Sequence, residues 1–293
     1  MQLKSAMVKV NHQSRQNAFR DDVGQKLLGV LLLLAGLVVL ISKSTRDDSS
    51  SAASSPESLQ QHVAQVDHDV IEGSVKADTG NRNMEEVAYL HCGPRHTPSY
   101  GKKNGHAELL LLHGARFTKE EWKTSGIMKD LCKDGTKRPG MSVTALDLSV
   151  TANGTALLNV FDALVRDKIL SGDPIVVVTP SASGKAMLTL AEVYDVKSKA
   201  RSIDDMVALW VPVACGGISR VDEEAILAFA NVPVLAIYGS EDPVTGGQTS
   251  DRLVDLVGAT KVELKGSHPV YLDSPKDFVE VLVDHIVKLA QSK

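Results

Sequence analysis

From residue 85 onward, short apolar runs alternate with longer stretches whose apolar residues recur at helical spacing. Strands are predicted at 86–91, as a sheet edge, and at 108–112, 141–146, 174–179, 206–213, 233–238 and 261–264. Residues 70–75 have the pattern of a further first strand and turn. Most of these runs are apolar on both faces and rich in Val, Leu and Ile, as in strands buried between two helix layers. Helices are predicted to begin at Thr118, with Glu121 completing a capping box, and to cover 153–170, 183–193, 222–230, 248–257 and 275–290. Ser274 is placed to cap the last of these, with Pro275 at its first position. Strand and helix in alternation predict an α/β fold with a mainly parallel sheet and right-handed crossovers. In such sheets a site forms at the carboxyl ends of the strands.

A different pattern precedes this domain. Residues 27–41 read LLGVLLLLAGLVVLI without a polar break. A bilayer span takes about 20 residues, and Ser42 with the stems of Lys26 and Lys43 extends the run at its ends. This predicts a transmembrane signal anchor at 27–42, a cytoplasmic tail at 1–26, a disordered Ser-rich stalk at 43–70 and a folded domain at 71–293. Lys4, Lys9, Arg15, Arg20 and Lys26 precede the run, and only Lys43 and Arg46 closely follow it. Positive charge resists translocation, so a single-pass type II protein with a lumenal or extracellular domain is expected. A cleaved signal peptide and an organelle transit peptide are the competing readings. Asn153-Gly154-Thr155 forms a glycosylation sequon.

The chain has 293 residues, enough for one large core, and a formal net charge of −4. No broad basic surface is implied, so nucleic acid is not an expected partner. The three cysteines, Cys92, Cys132 and Cys215, lack zinc-site spacing and do not form a disulfide framework. One disulfide fits if the domain matures in an oxidising compartment.

Four strings carry candidate chemistry. Thr179-Pro180-Ser181-Ala182-Ser183-Gly184 follows an apolar strand and opens a helix. A serine on such a sharp turn is exposed to a base, and the helix N-terminus offers N–H groups to a developing oxyanion. Ser181 is the candidate nucleophile and Ser183 the rival, and either serine alone would serve as a helix cap. Leu112-His113-Gly114-Ala115 is the usual place for a second oxyanion donor, the N–H of Ala115, alongside that of Ala182. His113 is read as a brace for this loop. Gly239-Ser240-Glu241-Asp242-Pro243 ends another strand and offers Asp242, or Glu241, as the acid that orients an imidazole. Gly266-Ser267-His268-Pro269 follows the last strand and offers His268 as the base. Ser181, Asp242 and His268 stand in the chain order of α/β-hydrolases.

The strings LLLLHGARF, VVVTPSASG, WVPVA, YGSEDP and GSHPVYLDSP resemble the α/β-hydrolase domain-containing proteins of subgroup fourteen, over about residues 87–289. The Pro-Ser-x-Ser-Gly elbow makes this resemblance more specific than a general hydrolase match, and the apolar N-terminal run is similar in layout to the membrane-anchored member. The resemblance implies an α/β-hydrolase fold over 71–293, a Ser-Asp-His site and activity on small acyl esters. Two positions depart from the subgroup. Ser149-Val150-Thr151-Ala152-Asn153-Gly154 replaces its usual Pro-Gly-x-Gly, and Cys215 replaces a residue that is not a thiol.

Acyl transfer through acyl-Ser181 is therefore expected, with no metal or bound cofactor. Residues 213–233 have room for one helix only, so no large cap domain is expected and short acyl groups should fit best. An acyltransferase passing the acyl group to a thiol or amine, and a non-catalytic interaction protein retaining the fold, are the alternatives.

Overall fold

A computed structural model describes residues 69–80, 83–93, 107–133, 141–198 and 202–292. The expected tail, the signal anchor at 27–42 and nearly all of the expected stalk lie outside the described residues. Among the described residues no helix is long and apolar enough to cross a membrane.

Eight strands make the sheet: β1 (Ile71–Asp78), β2 (Met84–Cys92), β3 (Glu108–Leu111), β4 (Ser142–Leu146), β5 (Ile175–Pro180), β6 (Val207–Val213), β7 (Leu235–Gly239) and β8 (Thr260–Leu264). Their order is β1-β2-β4-β3-β5-β6-β7-β8. β2 runs antiparallel to both β1 and β4, and the remaining pairs are parallel. β2 is therefore not the edge that the sequence suggested. β1 pairs with it along its whole length and takes the edge. β1 buries only Val75 and Ala77 among exposed polar neighbours, which suits a solvated edge strand.

The helices are α1 (Glu120–Thr124), α2 (Ile127–Cys132), α3 (Gly154–Arg166), α4 (Gly184–Ser198), α5 (Glu223–Leu227), α6 (Gln248–Val257), α7 (Val270–Asp273) and α8 (Pro275–Gln291). Two apolar cores lie on opposite faces of the sheet. Leu110, Ile175 and Val177 join the core that includes α3 and α6, while Leu109, Leu111, Val176 and Val178 join the core that includes α2 and α8. This alternation explains why the central strands read as unbroken apolar runs.

Local chemistry sets the helix ends. The amide of Thr118 donates to the Glu121 carboxylate at 2.7 Å, and the Glu120 amide donates to the Thr118 hydroxyl at 3.2 Å. Asn153 Oδ1 accepts from the Ala156 amide at 3.1 Å and caps α3. That helix ends at Arg166, four residues before the expected end, and Lys168 just beyond it has φ 61. Ser274 does not cap α8 with its side chain, because its hydroxyl donates instead to the Lys265 carbonyl at 2.6 Å. Pro275 takes the first position of that helix as expected.

Between β6 and β7 the chain makes a 3-10 turn at Gly216–Arg220 and the five-residue α5. The fold is that of an α/β-hydrolase, with minimal covering over the carboxyl ends of the strands among the described residues. A disulfide joins Cys92, at the end of β2, to Cys132, at the end of α2. Cys215 is a free, buried thiol.

Candidate active site

The strand β5 delivers Ser181 at its carboxyl end, where the backbone turns sharply into a 3-10 turn at Ser181–Ser183 and then into α4. Ser181 has φ 53, in the left-handed region that residues with a Cβ avoid by roughly 1–2 kcal/mol. Packing on both sides holds it there. A Cβ at Gly184 would lie 2.6 Å from the Cys215 sulfur, so only glycine lets the helix start sit this close to β6. Thr179 stands where the common elbow has glycine. It is fully buried, and its hydroxyl accepts from the Trp210 indole at 2.9 Å.

Cys215 lies beneath the same turn, its thiol donating to the Thr179 carbonyl at 2.8 Å. Burial pushes this thiol up to about 12, against which hydrogen bonds from Thr179 and nearby backbone act only partly. The thiol is therefore neutral at physiological pH and serves as packing. Its unfolded value is near 9. The fold gains from keeping it neutral below that pH, and that contribution is lost as pH rises from about 9 towards 12.

His268 comes from the loop after β8. The chain passes close over the end of β7 there, and a Cβ at Gly239 would be 2.1 Å from the Ser267 carbonyl oxygen. Asp273 fixes the loop by accepting from the Ser267 amide at 2.7 Å and from its hydroxyl at 2.5 Å. His268 Nε2 lies 2.8 Å from the Ser181 hydroxyl, and its Nδ1 lies 2.6 Å from Asp242 Oδ2. The Asp242 carboxylate also accepts from the amides of Thr245 at 3.3 Å and Gly246 at 3.2 Å, which open the helical turn Pro243–Gly247. Those bonds fix its orientation towards the imidazole.

The rival residues have other partners. The Ser183 hydroxyl is buried and donates to the Pro180 carbonyl at 2.8 Å. Glu241 is exposed, and its backbone amide donates to the Gly266 carbonyl. His113 lies 2.9 Å from the Gly114 carbonyl through Nδ1 and 3.4 Å from Asp147 through Nε2.

Gly114 sits beside the nucleophile, and a Cβ there would be 3.8 Å from Ser181 Cβ. Ala115 follows it in an exposed turn, and Ala182 lies in the first turn after β5, where helix amides lack intrahelical acceptors. A feature not read from the sequence braces this loop from the other side. Lys119 is buried, with its ammonium 3.2 Å from Glu72, 3.1 Å from Glu120 and 3.7 Å from Asp147. Burial acts to lower its pKa, but these carboxylates outweigh burial and raise it. Lys119 therefore ties β1 and the Asp147 turn to the residues just after Ala115. The Ser149–Gly154 departure forms a compact turn closed by the Ala152 amide on the Ser149 carbonyl, and it leads directly into the cap of α3.

The strand order, the turn at Ser181 and the acid and histidine loops define the chain as an α/β-hydrolase. No protein-family model matches it. It is 31% identical over 193 residues to the candidate protein-lysine deacylase ABHD14B of Pongo abelii, covering 64% of this chain and 86% of that protein. It is 29% identical to Protein ABHD14A of Danio rerio, covering 62% of this chain and 65% of that protein. The chain belongs to the α/β-hydrolase domain-containing proteins of subgroup 14. Among solved structures, the esterase domain of a Rhodothermus marinus protein superposes with a TM-score of 0.53 at 16% identity, covering 75% of this chain and 99% of that one. At that identity the likeness speaks for the fold.

Proposed function

We propose that the chain is a serine hydrolase that cleaves small acyl esters or related acyl groups through an acyl-Ser181 intermediate. The observation that carries this reading is the continuous hydrogen-bonded chain from Asp242 through His268 to Ser181. In the proposed reaction His268 Nε2 takes the proton of Ser181 as its oxygen attacks the acyl carbonyl. Asp242 holds the imidazole in the tautomer that leaves Nε2 free and stabilises the imidazolium that forms. The amides of Ala115 and Ala182 stabilise the tetrahedral oxyanion. His268 then protonates the leaving group, and the same base activates water to release the acid.

A fluorophosphonate probe should label the native chain at Ser181 and leave Ser181→Ala unlabelled. Absence of labelling in the folded native chain would defeat the reading and favour a non-catalytic interaction protein. A second reading takes an acylated lysine as the donor, from the name of the ABHD14B relatives, and keeps the thiol acceptor of the acyltransferase alternative. Product formation from an acyl-lysine peptide that rises with added thiol would select this reading over simple hydrolysis.

The domain is further proposed to face the lumen or the exterior, held by the expected anchor at 27–42. The Cys92–Cys132 disulfide supports this side of the membrane, since such bonds persist in oxidising compartments. Asn153 is exposed, and its side-chain oxygen caps α3 while its amide nitrogen faces away from that bond. Expressed with its N-terminus in human cells, the chain should lose mass on treatment with an N-glycosidase. Asn153→Asp keeps the capping oxygen and should abolish that shift. A native chain with no glycan would count against a lumenal domain.

A further inference from the structure

The cleft in front of Ser181 has a volume of about 370 Å³. Since water occupies about 30 Å³ per molecule, this is room for roughly a dozen non-hydrogen atoms. Ser181, Ala182, Gly216, Arg220, Val244 and Thr245 are among the residues that line it. Arg220 is the one charged side chain among the described residues that line it. Asp222, Glu223 and Glu224 follow it in the chain and do not line the cleft. The Arg220 side chain forms no hydrogen bond or ion pair with any described residue.

The turn that presents Arg220 is fixed. Ile218 beneath it is 1% exposed. Arg252, on α6, donates to the carbonyls of Ile218 at 2.5 Å and Val221 at 2.8 Å. The Ser219 hydroxyl closes the turn on the Gly216 carbonyl at 2.8 Å. Arg252 thus spends its guanidinium on the loop, while Arg220, on that turn, lines the cleft with its own uncommitted. A guanidinium is charged at any physiological pH and matches a carboxylate through two parallel hydrogen bonds.

We propose that the preferred acyl donors are short chains ending in a carboxylate, of the dicarboxylic half-ester type, with Arg220 as the residue that selects them. This rests on the serine hydrolase reading above. The acyl carbonyl sits at Ser181, the methylenes lie against Val244 and Thr245, and the terminal carboxylate meets Arg220. The covalent steps stay those of the proposed reaction: the ester bond breaks as the acyl-Ser181 bond forms, the alcohol leaves with the proton from His268, and water releases the diacid.

The test uses the purified full chain and two methylumbelliferyl esters that differ only by a terminal carboxylate, the pentanoate and the adipate half-ester. Each is read both as turnover and as acyl mass on Ser181, after subtraction of the enzyme-free rate. The half-ester should be favoured in kcat/KM by about 5-fold or more, and about 0.5 M salt should shrink that ratio because the arginine is solvent-exposed. Arg220→Gln should bring the ratio to about one, Arg220→Lys should retain part of it, and Arg220→Glu should favour an aminohexanoyl ester instead. A ratio near or below one in the native chain, or a ratio unchanged in Arg220→Gln, overturns the inference while leaving the hydrolase reading intact. Failure of both esters to acylate Ser181, with no fluorophosphonate labelling, defeats the hydrolase reading itself.

Discussion

Ser181→Ala is expected to lower kcat/KM for a small aryl ester by about 10⁴-fold or more, equivalent to ~5.5 kcal/mol of transition-state stabilisation. In the proposed reaction the bond to the acyl carbon is made by the Ser181 oxygen. The Ser183 hydroxyl is committed to the Pro180 carbonyl and is buried, while the Ser181 hydroxyl is within 2.8 Å of the His268 imidazole. Ser183→Ala should therefore cost about 10-fold or less in activity and about 1 kcal/mol in stability, from the lost bond to the elbow backbone. Steady-state kinetics on both variants, with circular dichroism to confirm folding, separates the two serines. Retained turnover in Ser181→Ala with loss in Ser183→Ala would reverse their roles. Ser181→Gly adds an independent check, because glycine relieves the φ 53 backbone. It should be as inactive as Ser181→Ala yet more stable than it by about 1 kcal/mol. Stability gained on removing the nucleophile side chain is the signature of backbone strain held at a site.

The elements of the domain could be read from the sequence because each central strand is apolar on both faces and α3, α6 and α8 each carry an apolar stripe. The range of α6 was read at both ends, since Gly258 provides a left-handed stop just after Val257. The edge was misread because burial pattern reports what covers a strand's faces, and pairing along its hydrogen-bonding sides leaves no trace in one strand alone. Ser181, Asp242 and His268 could be named because each follows a strand, and parallel strands bring their carboxyl ends together. Lys119 and Asp273 could not. Lys119 gathers Glu72 and Asp147 from distant parts of the chain, and Asp273 supports the histidine loop from the four-residue α7, which no predicted element covered. Arg220 was equally hidden. An arginine in a polar loop looks like surface until Arg252 is seen fixing the turn beneath it.

Loss of the Cys92–Cys132 bridge is expected to have the largest effect on stability. The bridge spans a sequence separation of 40, and cross-linking a loop of that size restricts the unfolded chain by about 4 kcal/mol. Both cysteines are 1% exposed, so alanine at each leaves small voids in the core shared by β2, α2 and α8. The paired variant Cys92→Ala/Cys132→Ala should melt about 10 °C below the native protein, at roughly 2–4 °C per kcal/mol for a domain of this size. Native protein in strong reductant should approach the same melting temperature. Neither cysteine lines the cleft that holds Ser181, so kcat/KM per folded molecule at low temperature should change little. The bridge also ties stability to compartment: the chain made in a reducing cytosol should carry both thiols free and melt like the paired variant. Free thiols at both positions in protein recovered from the secretory route, or equal melting temperatures for oxidised and paired-variant protein, would show that the packing of β2 against α2 holds this edge of the core without the bond.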